Sequence, residues 1–160
     1  MVETLANFFA RHVGSEYISH GEIQTGRAPS PGRFSPDLVG VLMQELGAAL
    51  DSAQAVRVAT LHNDGSLAGL GIVSVHGDSV LNYAILQDLV VARDARGRGL
   101  GSALLAWIEA RLREHGVRRV FLESGVSNHR AHEFFEARDF RACSLTMMKE
   151  LDHGGSDRPP

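Results

Sequence analysis

The heptapeptide Arg96-Gly97-Arg98-Gly99-Leu100-Gly101-Ser102 constrains this chain more than any other feature. It follows the apolar run Leu89-Val90-Val91 and precedes a long amphipathic segment. A buried strand, a Gly-rich turn and a helix N-terminus in that order make an anion cradle. The glycines permit positive φ and let a ligand approach the backbone. The first turn of the helix offers unbonded N–H groups and the positive end of its dipole, which favour phosphate. The expectation is a phosphorylated cofactor.

With 160 residues the chain is most simply one domain with a real core. Its 44% apolar and 22% charged content is ordinary for a soluble protein. A net charge of −3 argues against general binding of nucleic acid or anionic membrane. The single cysteine, Cys143, excludes an intrachain disulfide and fits a reducing compartment. The start of the chain lacks a long apolar leader core, and no run approaches the ~20 apolar residues of a membrane span. The expected location is therefore cytoplasmic.

Residues 3–13 carry Leu5, Phe8, Phe9, His12 and Val13 on one side and read as a helix. Residues 17–25 read as a short strand, and 26–36, with three prolines, as a loop. Ser35 and Pro36 then open a helix to about Leu50. Segments 55–62 and 67–75, split by Asn63-Asp64-Gly65, form a hairpin. His76-Gly77-Asp78 turns into a third strand over 79–91. A helix follows at 99–115, with Leu100, Leu104, Ile108 and Leu112 as its stripe and Trp107 placed in the core. Val120-Phe121-Leu122 is a short buried strand, and Ser127 or Asn128 opens a helix carrying Ala131, Phe134 and Phe135. A last strand at about 141–150 would bury Cys143, and 152–160 is a disordered tail. A hairpin meander followed by strand–helix–strand–helix–strand predicts a mixed α/β sheet.

The glycine pattern is neither a dinucleotide fingerprint nor a Walker loop, since no Lys-Ser/Thr pair follows. DLVVARDARGRGLGSALL (88–105) instead resembles the R/Q-x-x-G-x-G/A signature of the GNAT superfamily of acetyl-coenzyme A-dependent N-acetyltransferases. A second signature, N-x-x-A-x-x-F-Y-E-x-x-G-F, is matched from Asn128 to Phe140, with Phe135 at the Tyr position and Asp139 at the Gly. The resemblance covers roughly 55–150 and is nearest in flavour to small-molecule, aminoalkylphosphonate-type enzymes. It implies the GNAT fold: a mostly antiparallel N-terminal meander, then β-α-β-α-β with a splayed central strand pair. Residues 1–151 would form the single domain, with 1–50 covering the acceptor and 55–150 holding the cofactor.

By this resemblance acetyl-coenzyme A is the acyl donor. Backbone N–H groups of Arg98, Gly99, Leu100, Gly101 and Ser102 would hold its pyrophosphate, with Gly97 in the turn and charge from Arg96 or Arg98. Leu89, Val90 and Val91 would bond the pantetheine arm, and a backbone N–H near Val90 would face the thioester oxygen. Asn128 would contact the pantetheine or pyrophosphate and equally caps a helix. Phe135 stands where a Tyr general acid is usual, so that acid is missing.

The remaining candidates are acid–base groups. Asp88, just before the pantetheine segment, is either a general base or half of a structural salt bridge. Glu123 ends the opposing strand, and Tyr83 could line the acceptor pocket or substitute as the acid. His20, Glu22, Gln24 and Arg27 either line the acceptor site or form a solvated strand edge. His129 and His132 share a helix face without a third ligand, so no metal is expected. The leading expectation is transfer of acetyl to a primary amine of a small molecule by direct attack. The rivals are acetylation of a protein lysine or N-terminus, and an acyl-coenzyme A-binding module with little catalysis. Exposed strand edges in such a sheet also allow a homodimer.

Overall fold

A computed structural model describes residues 1–51, 56–77 and 82–151. The first helix, α1 (Val2–His12), buries Leu5, Ala6, Phe8 and Phe9. Its last carbonyls would be unsatisfied. Arg93 and Arg96 answer them, Arg93 Nη2 donating to Val13 O at 2.6 Å and Arg96 Nη2 to His12 O at 2.5 Å.

The strand expected at 17–25 is not formed. A 3-10 turn (Ser15–Tyr17) and a short helix, α2 (His20–Gln24), replace it. The reason is a capping box. Ser19 Oγ accepts from Gly21 N at 3.1 Å, and Glu22 Oε2 accepts from Ser19 N at 2.7 Å. Ser-x-x-Glu satisfies two helix-end donors that an extended segment would leave to water. Helix α3 (Leu38–Asp51) then packs beside α1.

Strands β1 (Val56–Asn63) and β2 (Ser66–Gly77) pair antiparallel through a two-residue turn. Asp64 (φ 51°) and Gly65 (φ 79°) both lie in the left-handed region that such hairpin turns require. β2 continues through His76 and Gly77, so the expected turn there is strand up to Gly77, and its Asp78 lies outside the described residues. β3 (Asn82–Val91) pairs antiparallel with β2, and β4 (Arg119–Leu122) pairs parallel with β3, giving the order β1-β2-β3-β4. Helix α4 (Leu100–Glu114) makes the crossover, and α5 (His129–Glu136) follows β4.

The sheet separates two cores. On one face α1 and α3 bury Phe9, Leu42 and Leu46 against Leu70, Ile72 and Val90. On the other, α4 buries Leu104, Leu105, Ile108 and Leu112 against Val73, Ala84 and Leu86.

Three outer features correct the expectations. Trp107 is 56% exposed, with the Arg111 guanidinium over its ring, because the adjacent Leu104, Leu105 and Ile108 already fill the face toward the sheet. Phe121 is 43% exposed, since β4 is the sheet's edge. Residues 141–150 form no strand and are exposed, Cys143 included, so the expected β-α-β-α-β run lacks its last member among the described residues. No neighbouring strand pairs with them there, and a strand without a ladder leaves its backbone to water. The expected tail, 152–160, lies outside the described residues.

Candidate functional site

The site begins with a failure of pairing. β3 and β4 are bonded from Tyr83↔Arg119 to Leu86↔Leu122 and no further. At that point β3 shifts register against β2: Ile72 faces Asp88 while Val73 faces Leu86, leaving Gln87 as the extra residue. A bulge bends its strand and sharpens its twist. Beyond it, residues 87–91 keep β2 on one edge and present the other to a cleft of about 1330 Å³. Leu89, Val90 and Val91 line this cleft. The Val91 carbonyl already accepts from Arg96 Nε at 3.3 Å.

One end of the cleft is the start of α4. Gly99 is its N-cap, at φ 80° and ψ 0°, a conformation that a side chain disfavours. The first helical N–H to find a partner is that of Ala103, which donates to Gly99 O at 3.0 Å. Those of Leu100, Gly101 and Ser102 precede it and have no intrahelical acceptor. Arg138 braces this end. It donates to Phe134 O at 2.5 Å and to Ser102 Oγ, and its guanidinium lies 3.7 Å from the centroid of the Phe134 ring. Asn128 caps α5, its Oδ1 accepting from Ala131 N at 3.3 Å, and lines the cleft. Phe135 also lines it, packed edge-on to Phe134 and Phe140. Asp139 takes φ 65°, so the chain turns after α5 without the usual glycine.

Of the two arginines expected near the pyrophosphate, Arg96 lines the cleft but spends its guanidinium on the end of α1. Burial, then Arg130 and Arg93, lowers its pKa from the usual guanidinium value. Arg98 is exposed and not among the lining residues.

The other end is walled by the 3-10 turn, α2, Arg27 and the C-terminal half of α3. Its centre is a buried ionic cluster. Asp88, 1% exposed, accepts from Arg27 Nη1 at 2.9 Å, Arg27 Nη2 at 3.1 Å and Tyr17 Oη at 2.9 Å. Arg27 Nε donates to Glu45 Oε2 at 2.7 Å, and Glu22 Oε1 lies 3.7 Å from Nη1. Burial opposes the Arg27 charge, but Asp88 and Glu45 outweigh it and hold the guanidinium protonated above its usual range. Burial, with the Asp88 carboxylate beside it, pushes the Tyr17 phenol well above its ordinary pKa.

Across the gap, His20 Nε2 lies 3.2 Å from Glu123 Oε1, and both line the cleft. The loop after β4 comes very close to the 3-10 turn: a Cβ on Gly125 would stand 2.4 Å from Glu16 O and 2.5 Å from Ile18 O.

The structure thus brings Glu123, residues of β3 and the start of α4 around one cavity, with Asp88 buried behind its wall. Tyr83 is not there. It sits on the paired end of β3, stacked on His76 and edge-on to Phe121. His129 and His132 face each other edge-on, and no third metal-binding side chain joins them among the described residues. Tyr17, Glu45, Gly125 and Arg138 were not singled out from sequence. Only Tyr17 had a signal, as an aromatic beside the polar set His20, Glu22, Gln24 and Arg27.

Residues 28–140 match the acetyltransferase (GNAT) family. The chain is 30% identical over 86 residues to an aminoalkylphosphonate N-acetyltransferase of Salmonella typhimurium, an alignment covering 51% of this chain and 56% of that protein. The chain therefore matches little more than half the length of that curated relative. Among solved structures it resembles a putative acetyl transferase from Pyrococcus furiosus (TM-score 0.64, 25% identity, 82% of this chain and 90% of that one). It also shares its fold with a transcriptional regulator from Bacillus halodurans (TM-score 0.68, 18% identity, 94% and 93%).

Proposed function

The chain belongs to the acetyltransferase (GNAT) family, and we propose that it transfers an acetyl group from acetyl-coenzyme A to the primary amine of a small molecule by direct attack. The observation that carries this reading is the parting of β3 and β4 after Leu86↔Leu122, which joins the start of α4 to the acidic wall in one cleft. The residues present suit the donor. The N–H groups of Leu100, Gly101 and Ser102 would hold its pyrophosphate, as helix N-termini hold anions. The free edge of residues 87–91 would pair with the pantetheine amides, placing a backbone N–H near Val90 beside the thioester oxygen.

The acceptor amine must lose its proton to attack. We assign that proton to the His20–Glu123 pair, which is part-exposed and close enough to pass it on to solvent. Asp88 has both oxygens committed to Arg27 and Tyr17, so its proposed role is to hold the acceptor wall in place. With Phe135 in place of a hydroxyl donor, the leaving thiolate, whose thiol has a reference pKa of about 8.5, departs without a protein acid. Positioning of the two substrates supplies the rate.

The test is calorimetric binding of acetyl-coenzyme A, followed by thiol release against an amine library. Binding with turnover supports the enzyme. Binding with no turnover on any amine leaves a cofactor-binding module, and absence of binding removes the cradle on which the reading stands.

A further inference from the structure

The sheet ends at β4 with an open edge. Val120 and Leu122 pack against the core under α4, while Phe121, on the opposite face, is 43% exposed. Helix α5 carries Ala131, Phe134 and Phe135 on one side, yet none of its residues is fully buried. An amphipathic helix of a closed fold buries its apolar stripe. Here the sheet that would cover the rest of it stops at β4. Residues 141–151, which follow α5, are exposed along their whole length. Among the described residues, none of their backbone groups bonds to another part of the chain. Their sequence alternates as a strand does. Cys143, Leu145, Met147 and Leu151 fall on one face, and Ser144, Thr146 and Glu150 on the other. Leu145 is 80% exposed, Met147 87% and Leu151 74%. A contiguous row of large apolar side chains in water marks a surface that another molecule covers.

We propose that two copies of this chain exchange residues 141–151, each segment pairing with β4 of the other copy. An open edge accepts an added strand through backbone hydrogen bonds, and exchange of the same element closes as a two-fold pair. The apolar face of the segment then covers Leu122, Phe135 and Phe140, which are only partly buried in the single chain. The length fits. The four residues of β4 span about 13 Å and the eleven of the segment about 36 Å, so chain remains to cross between copies. The area fits as well. Leu145, Met147, Met148 and Leu151 expose roughly 600 Å² per copy, and a reciprocal exchange covers them twice, within the about 1,200–2,000 Å² of a stable interface. Glu123 directly follows β4 and lines the cleft, so the exchanged strand would run at the rim of the other copy's cleft. The exchange stands whether or not that cleft is an acetyltransferase site.

Two measurements on the full chain test this. Sedimentation equilibrium in reducing buffer at micromolar protein should give twice the 17.3 kDa of one chain. Cys143, the single cysteine, reports on the segment. Its thiol would lie on the covered face, so a maleimide should react at least about tenfold more slowly than with the same protein in urea. Leu145→Asp combined with Met147→Asp puts two charges on that face, where an unpaired charge is costly to bury. This double variant should run at the single-chain mass with an unchanged circular dichroism spectrum, because both positions are exposed in the single chain. A single-chain mass for the unaltered protein overturns the proposal. If Cys143 were protected in that single chain, the segment would lie on its own β4. A doubled mass with Cys143 fully reactive, or one that persists in the folded double variant, also overturns it and moves the contact elsewhere. Both measurements on the unaltered protein stand even if the variant fails to fold.

Discussion

Arg27 grips both carboxylate oxygens of Asp88, with Nη1 at 2.9 Å from Oδ1 and Nη2 at 3.1 Å from Oδ2. The pair ties the loop after α2 to β3 just past its bulge, so the acidic wall of the cleft and the opened strand are held by one contact. Removing one partner of a buried pair leaves the other charged and alone. Arg27→Met should therefore lower stability by about 3–5 kcal/mol, read as a loss of urea midpoint and Tm. Adding Asp88→Leu should recover part of that loss. A double variant no better than Arg27→Met would show that the pair does not act as a unit.

Tyr17 gives the fold a soft alkaline limit. Its phenol is buried against Asp88, and its pKa is raised well above the usual value. In the unfolded chain it ionises near pH ~10, while in the folded protein it keeps its proton. The unfolded state then binds fewer protons, so stability falls as pH rises past about 10, by about 1.4 kcal/mol per unit until the folded-state pKa is reached. Below pH ~10 the group adds no slope. Tyr17→Phe should flatten this alkaline limb while costing roughly 1 kcal/mol at neutral pH for the lost hydrogen bond. Urea melts at pH 8, 10 and 11 would decide it.

The part of the fold that was legible in sequence is the part fixed by local chemistry. Asp64-Gly65 demanded a hairpin, the α4 stripe demanded a sheet to pack on, and Gly99 demanded a turn with positive φ. The stretch 17–25 forms no strand because the Ser19–Glu22 capping box makes it helical, a signal as local as the hairpin's. Asp88 could be read only as a base or as an ion pair, because its partner lies 61 residues away in a proline-rich loop. Trp107 carries no sign in its own spacing that Leu104, Leu105 and Ile108 fill the interface before it. Tyr83 shares a strand with Leu89 and Val91, but β4 covers its end and not theirs.

Gly125 is needed for closeness. Any Cβ there would overlap the carbonyl oxygens of Glu16 and Ile18, both backbone atoms. Gly125→Ala must push the 3-10 turn away from the loop after β4, widening the end of the cleft where Tyr17 and His20 stand, the proposed acceptor side. Crowding of this kind costs typically about 1–3 kcal/mol. The expected kinetic signature is a KM for the amine raised several-fold, with the affinity for acetyl-coenzyme A nearly unchanged. Equal losses in both would mean that the displacement spreads to the start of α4.

The start of α4 separates two uses of glycine. At Gly99 there is open space around the missing Cβ, but φ is 80°, so Val is opposed by backbone strain. At Gly101 φ is ordinary and a Cβ would touch the Phe134 ring and Val91 Cγ2 at 3.4 Å. Gly99→Val and Gly101→Val should each abolish measurable acetyl-coenzyme A binding while the circular dichroism spectrum stays intact. Gly101→Ala should retain binding, because that contact distance is tolerable. Loss of binding in Gly101→Ala as large as in Gly101→Val would show that the methyl group itself blocks the ligand.

Phe135 offers the most direct view of the leaving group. Its ring lines the cleft from α5, edge-on to Phe134 and Phe140, at the position where the family resemblance places a tyrosine. A hydroxyl there would supply a proton to the departing thiolate, an effect worth about 10²–10⁴-fold where acid catalysis limits the rate. Since a thiolate leaves readily without help, the gain in Phe135→Tyr should be modest, with kcat unchanged or raised up to about tenfold. The increase should be larger below pH ~8, where the tyrosine stays protonated and the thiol is favoured over its anion. A large fall in kcat with unaltered acetyl-coenzyme A affinity would show that the phenyl ring itself positions the acceptor, and that a hydroxyl disturbs it.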